Sequence, residues 1–198
     1  RCLFGLGRQI VRREPVGVEC RICKSSLTHL LVDLGSAPPS NSYLTTAQLD
    51  SSEEVFPLRV LVCGSCWLVQ TEDFVPRGSL FTPDYAYLSG ASSTWRDHVA
   101  RFAARAIEEF SLGEKNLVVE VASNDGVLLE NFLNGGVRTL GIEPTASTAK
   151  LSRLKGIETI QEFFGLRLAN SIRAGGTQAD LVIGNNVLAH VPDILDFL

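Results

Sequence analysis

Two cysteine pairs, Cys20 and Cys23 in CRIC and Cys63 and Cys66 in CGSC, are where this sequence first offers chemistry. Each C-x-x-C sets two thiolates on one tight turn, and two such turns brought together form the tetrahedral sulfur set of a closed structural zinc site. Residues 24–62 separate the pairs, a longer gap than the roughly 15–20 residues of common four-cysteine zinc sites. Two disulfides, or unligated core thiols, are alternative readings of the same four residues. An unpaired Cys2, and an N-terminal apolar stretch too short for a secretory segment, weigh against disulfides. A redox pair normally opens a helix in a thioredoxin-like βαβ context, which neither pair does. With four thiolates on the metal no coordination position is left for a reacting group, so the expected role is structural.

A second constellation begins in VVEVASNDGVLLENF, residues 118–132, which reads as a strand, a tight turn and a helix. Dinucleotide-binding folds place glycines in that turn so that backbone can approach a pyrophosphate at the helix N-terminus. Here the turn is Ala122-Ser123-Asn124-Asp125-Gly126, and two of the three expected glycines are missing. A carboxylate at Asp125 repels a phosphate and favours a ligand that carries positive charge. S-adenosylmethionine is such a ligand, with a sulfonium, an ammonium and no phosphate. Ala122 and Gly126 preserve close approach, and Asn124 tolerates left-handed dihedrals.

Glu120, at the end of the strand, is expected near the methionyl end of that cofactor, and Glu143, in GIEP 23 residues further on, at its ribose hydroxyls. Adjacent amides Asn185 and Asn186 end a later strand beside the same crevice, and Phe163 is a candidate to lie against the adenine. The plain alternative is a β-to-α connection whose Asp caps the next helix. His190, four residues past Asn186, is one more polar candidate; His29 and His98 read as ordinary histidines.

The elements that must position these groups fall into two regions. Residues 16–95 are loop-rich, with β-like runs HLLVDLG and FPLRVLVC between Ser, Pro and Asn turns, and hold the two cysteine pairs. Residues 96–198 open with a helical pattern, WRDHVARFAARAIEEF, stopped at Gly113. They then alternate LVVEV, GVLLENFL, TLGIE, ASTAKLSRL, ETIQ, GLRLANSIRA and ADLVIGN. Such a βαβαβαβ series implies a mostly parallel sheet, whose switch point lies beside the first strand. VPDILDFL starts a further helix, so the chain reads as a fragment cut after the fourth strand. A formal charge of −4, with its basic residues clustered only at Arg8, Arg12 and Arg13, argues against nucleic-acid binding. No apolar run reaches the length of a membrane span.

The series CRIC, LVDLGSAPPSNSYL, FPLRVLVCGSCWLVQ, LFTPDYAYLSGAS, VVEVASNDGVLLENF, GIEPTAS and NNVLAHVPD resembles the deoxysugar C-methyltransferases of antibiotic sugar pathways, from about residue 18 to the end. Such enzymes methylate a carbon of a nucleotide-linked keto sugar. The resemblance implies an α/β protein with a small N-terminal zinc-binding domain, a Rossmann-like S-adenosylmethionine domain and a C-terminal domain with no counterpart here. It implies that Cys20, Cys23, Cys63 and Cys66 are zinc ligands. It assigns the cofactor to Ala122–Gly126, Glu143, Asn185 and Asn186, and gives Tyr85 or Tyr87, with His190, a part in the sugar pocket. A bacterial cytoplasm follows from the resemblance and from reduced cysteines. Oligomeric state is not readable from the sequence. A non-catalytic zinc-knuckle and cofactor-binding module is the alternative, and a nicotinamide-dependent oxidoreductase a weaker one, because Asn124 and Asp125 replace its glycines.

Overall fold

A computed structural model describes residues 18–72, 75, 77–83 and 85–198; Cys2 and the Arg8, Arg12, Arg13 cluster lie outside them. The chain divides into two units, Arg1–Leu80 and Phe81–Leu198. The division therefore falls ahead of the expected 95/96 boundary. The reason is physical: the segment before the first long helix is hydrogen-bonded to the ASNDG turn, through Ser89 and Gly90, and belongs with the α/β unit.

In the first unit, β1 (His29–Ala37), β2 (Phe56–Val62) and β3 (Val69–Thr71) form an antiparallel sheet in the order β1-β2-β3. The β1–β2 ladder pairs His29 with Val62 and Ala37 with Phe56, and is interrupted twice by irregular register. β3 was not expected; three residues directly after the second knuckle are too few to show an alternating pattern. Among the described residues of this unit, only Cys20, Cys63 and Gln70 are buried. Arg59 grips Glu72 through Nε at 2.6 Å and Nη2 at 2.7 Å. A four-residue helix, α1 (Arg77–Leu80), closes the unit.

The second unit runs α2 (Ser93–Glu109), β4 (Leu117–Val121), α3 (Val127–Asn134), β5 (Arg138–Ile142), α4 (Ala146–Leu154), β6 (Glu158–Ile160), α5 (Leu166–Ala174), β7 (Leu181–Ile183) and α6 (Ile194–Phe197). Its parallel strands lie in the order β6-β5-β4-β7. All five residues of β4 are buried, as for a strand covered on both faces. Val118 joins one apolar cluster with Val99, Leu128 and Phe132 from α2 and α3. Leu117, Val119 and Val121 join another with Leu168 of α5. Period-two alternation along β4 thus ties both helical layers to one strand.

Four helices end alike. After α3, α4 and α5 the residues Gly136, Gly156 and Gly176 take φ of 77°, 83° and 81°, and the following amide returns to the carbonyl five residues back, as Val137 N–H does to Phe132 at 3.0 Å. This is the Schellman arrangement. At α2 a serine fills the role, Ser111 at φ 52°, with Leu112 N–H donating to Ile107 at 3.0 Å. The left-handed stop therefore falls at Ser111, two residues before the expected Gly113, and the helix itself ends at Glu109. Among the described residues no helix is long and apolar enough to cross a membrane.

Candidate functional site

The two cysteine turns are built to one plan. Lys24 N–H donates to the Cys20 carbonyl and Trp67 N–H to the Cys63 carbonyl, each at 3.0 Å, and both residues take left-handed φ, 60° and 64°. Cys20 N–H and Cys63 N–H close the turns onto Ser25 and Leu68 at 2.8 and 2.9 Å. The four Sγ atoms lie within 4.8 Å of one another, with Cys20–Cys66 at 3.5 Å and Cys23–Cys63 at 3.4 Å. A zinc ion about 2.3 Å from four tetrahedral sulfurs spaces them about 3.8 Å apart, so the set fits the metal. Hydrogen bonding with the side chain and then the backbone of Ser25 holds the Cys23 thiol down to about 6, in the thiolate form a metal requires. Cys63 Sγ accepts the N–H groups of Ser65 and Cys66, each at 3.4 Å.

The second site lies where strand order reverses, beside β4. Its turn alternates into the left-handed region at Ala122 (φ 57°), Asn124 (φ 51°) and Gly126 (φ 74°). At Gly126 this is steric as well as conformational, because a Cβ would stand 2.6 Å from Ile157 Cδ1 and from Ser152 Oγ. Gly141 of β5 likewise leaves room for Ser123, whose Oγ would come within 2.6 Å of a Cβ there. Glu143 anchors the turn. Its Oε2 accepts Asn124 N–H at 2.8 Å, and its Oε1 accepts Thr145 N–H at 2.9 Å together with the Thr145 hydroxyl.

Glu120 is 5% exposed, and its Oε2 has no hydrogen-bond partner. Burial pushes its carboxyl up to about 8, against a hydrogen bond with Asn185 and with added repulsion from Asp125 and Glu143. Ser123 Oγ is a second buried polar atom without a partner. A buried orphan of this kind costs on the order of 1–3 kcal/mol unless water or a ligand meets it. Lys155 Nζ stands 3.7 Å from Asp125 Oδ2 and offsets that charge, so the group left unmet is the Glu120 carboxyl, which a cationic ligand such as S-adenosylmethionine would suit in its ionised form.

The other expected residues differ in burial and in what they touch. Asn185 and Asn186 follow β7 and are exposed, with Asn186 left-handed at φ 52°. His190 ends a 3-10 turn, Leu188–His190, and is exposed. Phe163 meets the Phe81 ring edge-on at 6.1 Å, and Tyr85 packs on the same ring at 5.4 Å. Tyr87 is exposed, while its carbonyl accepts from Asn124 Nδ2 at 3.2 Å. Ser89, Gly90 and Thr145 were not singled out from sequence. For Thr145 the threonine after GIEP was an available signal, whereas the contacts of Ser89 and Gly90 span 35 residues.

A family model described as "Putative zinc binding domain" matches residues 20–81, a span that holds all four cysteines. The chain is 32% identical over 180 residues to "C-methyltransferase NovU" of Streptomyces niveus, an alignment covering 91% of this chain and 43% of that protein. It therefore spans less than half the length of that relative. A solved magnesium protoporphyrin IX methyltransferase from Synechocystis PCC 6803, with bound S-adenosylmethionine, aligns at 17% identity and TM-score 0.39, covering 49% of this chain and 47% of that one. An S-adenosylmethionine-dependent methyltransferase from Clostridium acetobutylicum aligns at 13% identity and TM-score 0.26, over 46% and 30%. Cysteine geometry, family match and sequence identity converge: this chain contains a zinc-binding domain of that family, its four close cysteines Cys20, Cys23, Cys63 and Cys66 are fit to hold the metal, and it is similar along most of its length to part of a C-methyltransferase.

Proposed function

We propose that this chain supplies the zinc-binding and cofactor-binding parts of an S-adenosylmethionine-dependent C-methyltransferase that acts on a nucleotide-linked 4-keto-deoxysugar. The observation that carries the reading is Glu120, a buried carboxylate with an orphaned oxygen at the switch point of a parallel sheet. It sits beside a turn that lacks two of the three glycines a pyrophosphate-binding turn uses. Glu120 would meet the positive end of the cofactor, and Ala122 to Gly126 would let it approach the backbone. Glu143 keeps an unused acceptor site on Oε2 for a ribose hydroxyl. Phe163 would flank the adenine, and Asn185 and Asn186 would line the polar side.

When bound, the cofactor supplies an electrophilic methyl group. A ketone acidifies the carbon beside it, and hydrogen bonds from Tyr85, Tyr87 or His190 to the developing enolate oxygen would lower the barrier to removing that proton. The sugar class is supported by the resemblance of the DYAYLSG and NNVLAHVPD motifs, and a reducing compartment such as the bacterial cytoplasm accords with metal-ligating thiols.

Calorimetric titration of the zinc-loaded chain with S-adenosylhomocysteine and, in parallel, NAD tests the proposal. Saturable binding of the first, none of the second, and at least tenfold weaker binding by Glu120→Gln is the expected result. No binding of S-adenosylhomocysteine by the folded chain would overturn it and leave a zinc-binding module without a cofactor.

A further inference from the structure

The Asp125 carboxylate, expected to favour a cationic ligand, and the Asn124 amide both engage backbone some 35 residues earlier, and Lys155 Nζ also stands 3.7 Å from Asp125 Oδ2. Ser89 N–H donates to Asn124 Oδ1 at 2.9 Å, and Asn124 Nδ2 donates to the Tyr87 carbonyl at 3.2 Å. Gly90 N–H is shared between the two Asp125 oxygens, at 3.3 and 3.1 Å. The approach is close enough to require glycine, since a Cβ on residue 90 would stand 2.4 Å from Asp125 Oδ2. Arg96 Nη1 holds the Gly90 carbonyl from α2 at 3.3 Å. Both Asn124 and Asp125 are buried, and the Asn124 amide is itself bound by Glu143. One unbroken series of hydrogen bonds therefore runs from the end of β5, through the turn after β4, to the segment Tyr87–Gly90.

We propose that Asn124 and Asp125 are positioning residues, whose side chains clamp Tyr87–Gly90 to the turn after β4 so that the tyrosine-bearing segment and the turn move as one body. The part those tyrosines play toward a substrate rests on the function proposed above; the clamp does not. A reaction that brings a cofactor group and a substrate carbon together needs their two supports held in register, and polar side chains on short backbone segments do that with little freedom to drift. The left-handed φ at Asn124 sets the choice of variant. Glycine keeps that backbone conformation and deletes only the clamp, whereas alanine would add strain.

Residue-resolved hydrogen exchange by NMR on the full zinc-loaded chain tests the clamp. Asn124→Gly is expected to speed exchange of the Ser89 amide at least tenfold, and Asp125→Ala that of the Gly90 amide by a similar factor. Amides of β4 and β5 should stay within about threefold of wild type, which a merely destabilising change would not allow. Asp125→Asn, which still offers an acceptor to Gly90, should restore protection. Unchanged Ser89 and Gly90 rates, absent protection in the wild type, or equal acceleration throughout the sheet would each overturn the proposal. The same samples titrated with S-adenosylhomocysteine separate the two ideas. Failure of the wild type to bind sinks the cofactor reading and leaves the clamp standing, whereas unchanged exchange alongside normal binding sinks the clamp alone.

Discussion

The two units of this chain solve the stability problem by different means. In the α/β unit two apolar clusters sandwich β4, and the largest fully buried side chains, Phe132, Leu128 and Leu129, belong to a single helix. In the first unit the buried described residues are two cysteines and a glutamine, while Leu30, Leu31 and Leu34 of β1 are all exposed. Apolar burial can hold the second unit; the first has its sulfur set instead. The difference teaches where function can reside. A unit fixed by its own core can leave a carboxylate such as Glu120 unsatisfied, whereas a unit fixed by a metal must commit its polar chemistry to that metal.

The harshest test of this contrast is metal removal. Structural zinc is worth an apparent ~10–16 kcal/mol in small domains, so chelation, or Cys63→Ser, should abolish amide protection in β1, β2 and β3 and leave that of β4 and β5 intact. Loss of protection in both sheets together would break the comparison. Next in size, Phe132→Ala in the α/β core should cost roughly 3–5 kcal/mol by denaturant titration, with the zinc content of the chain unchanged. A cost below ~1 kcal/mol would mean the cluster is not what holds that unit.

A pH effect of intermediate size belongs to Glu120. Its folded carboxyl titrates near 8 and its reference value is 4.5, so between these values the folded state keeps a proton that the unfolded state has released. Stability of the α/β unit should therefore fall as pH rises through that window, by up to about 1.4 kcal/mol per pH unit. Glu120→Gln should flatten the slope, and a cationic ligand, which favours the ionised form, should bind with proton release below about pH 8. A slope that survives the substitution would assign the effect elsewhere. Smallest of all, Trp67→Gly in the second knuckle should stabilise the first unit by about 1 kcal/mol. It relieves a left-handed tryptophan that is 74% exposed, and thermal unfolding monitored on the zinc-loaded protein would detect it.

Much of the fold was legible because the relevant forces are local. The short apolar run LVVEV, the helical spacing of ASTAKLSRL and the glycines after α3, α4 and α5 mark β4, α4 and those helix ends directly. β3 was missed because a three-residue strand has no period to show, and the expected ADLVIGN strand shrank to Leu181–Ile183 because its pairing with β4 ends at Ile183. The α2 terminus was misplaced because Ser111, not glycine, takes the left-handed position. Within the site, the cysteine set and the Glu120–Gly126 run could be read from residue types alone. The direction in which Asn124 and Asp125 point could not, since their partners lie 35 residues away and backbone amides leave no mark in the sequence.

The central claim is that the turn after β4, with the Glu120 carboxyl beside it, holds S-adenosylmethionine, and mapping S-adenosylhomocysteine onto the isotopically labelled, zinc-loaded chain by amide chemical shifts tests it most directly. The account predicts saturable shifts concentrated at residues 120–126, 143–145 and 184–187, with the amides of β1, β2 and β3 unmoved. Shifts confined to the zinc-bearing unit, or none at millimolar ligand, would contradict it.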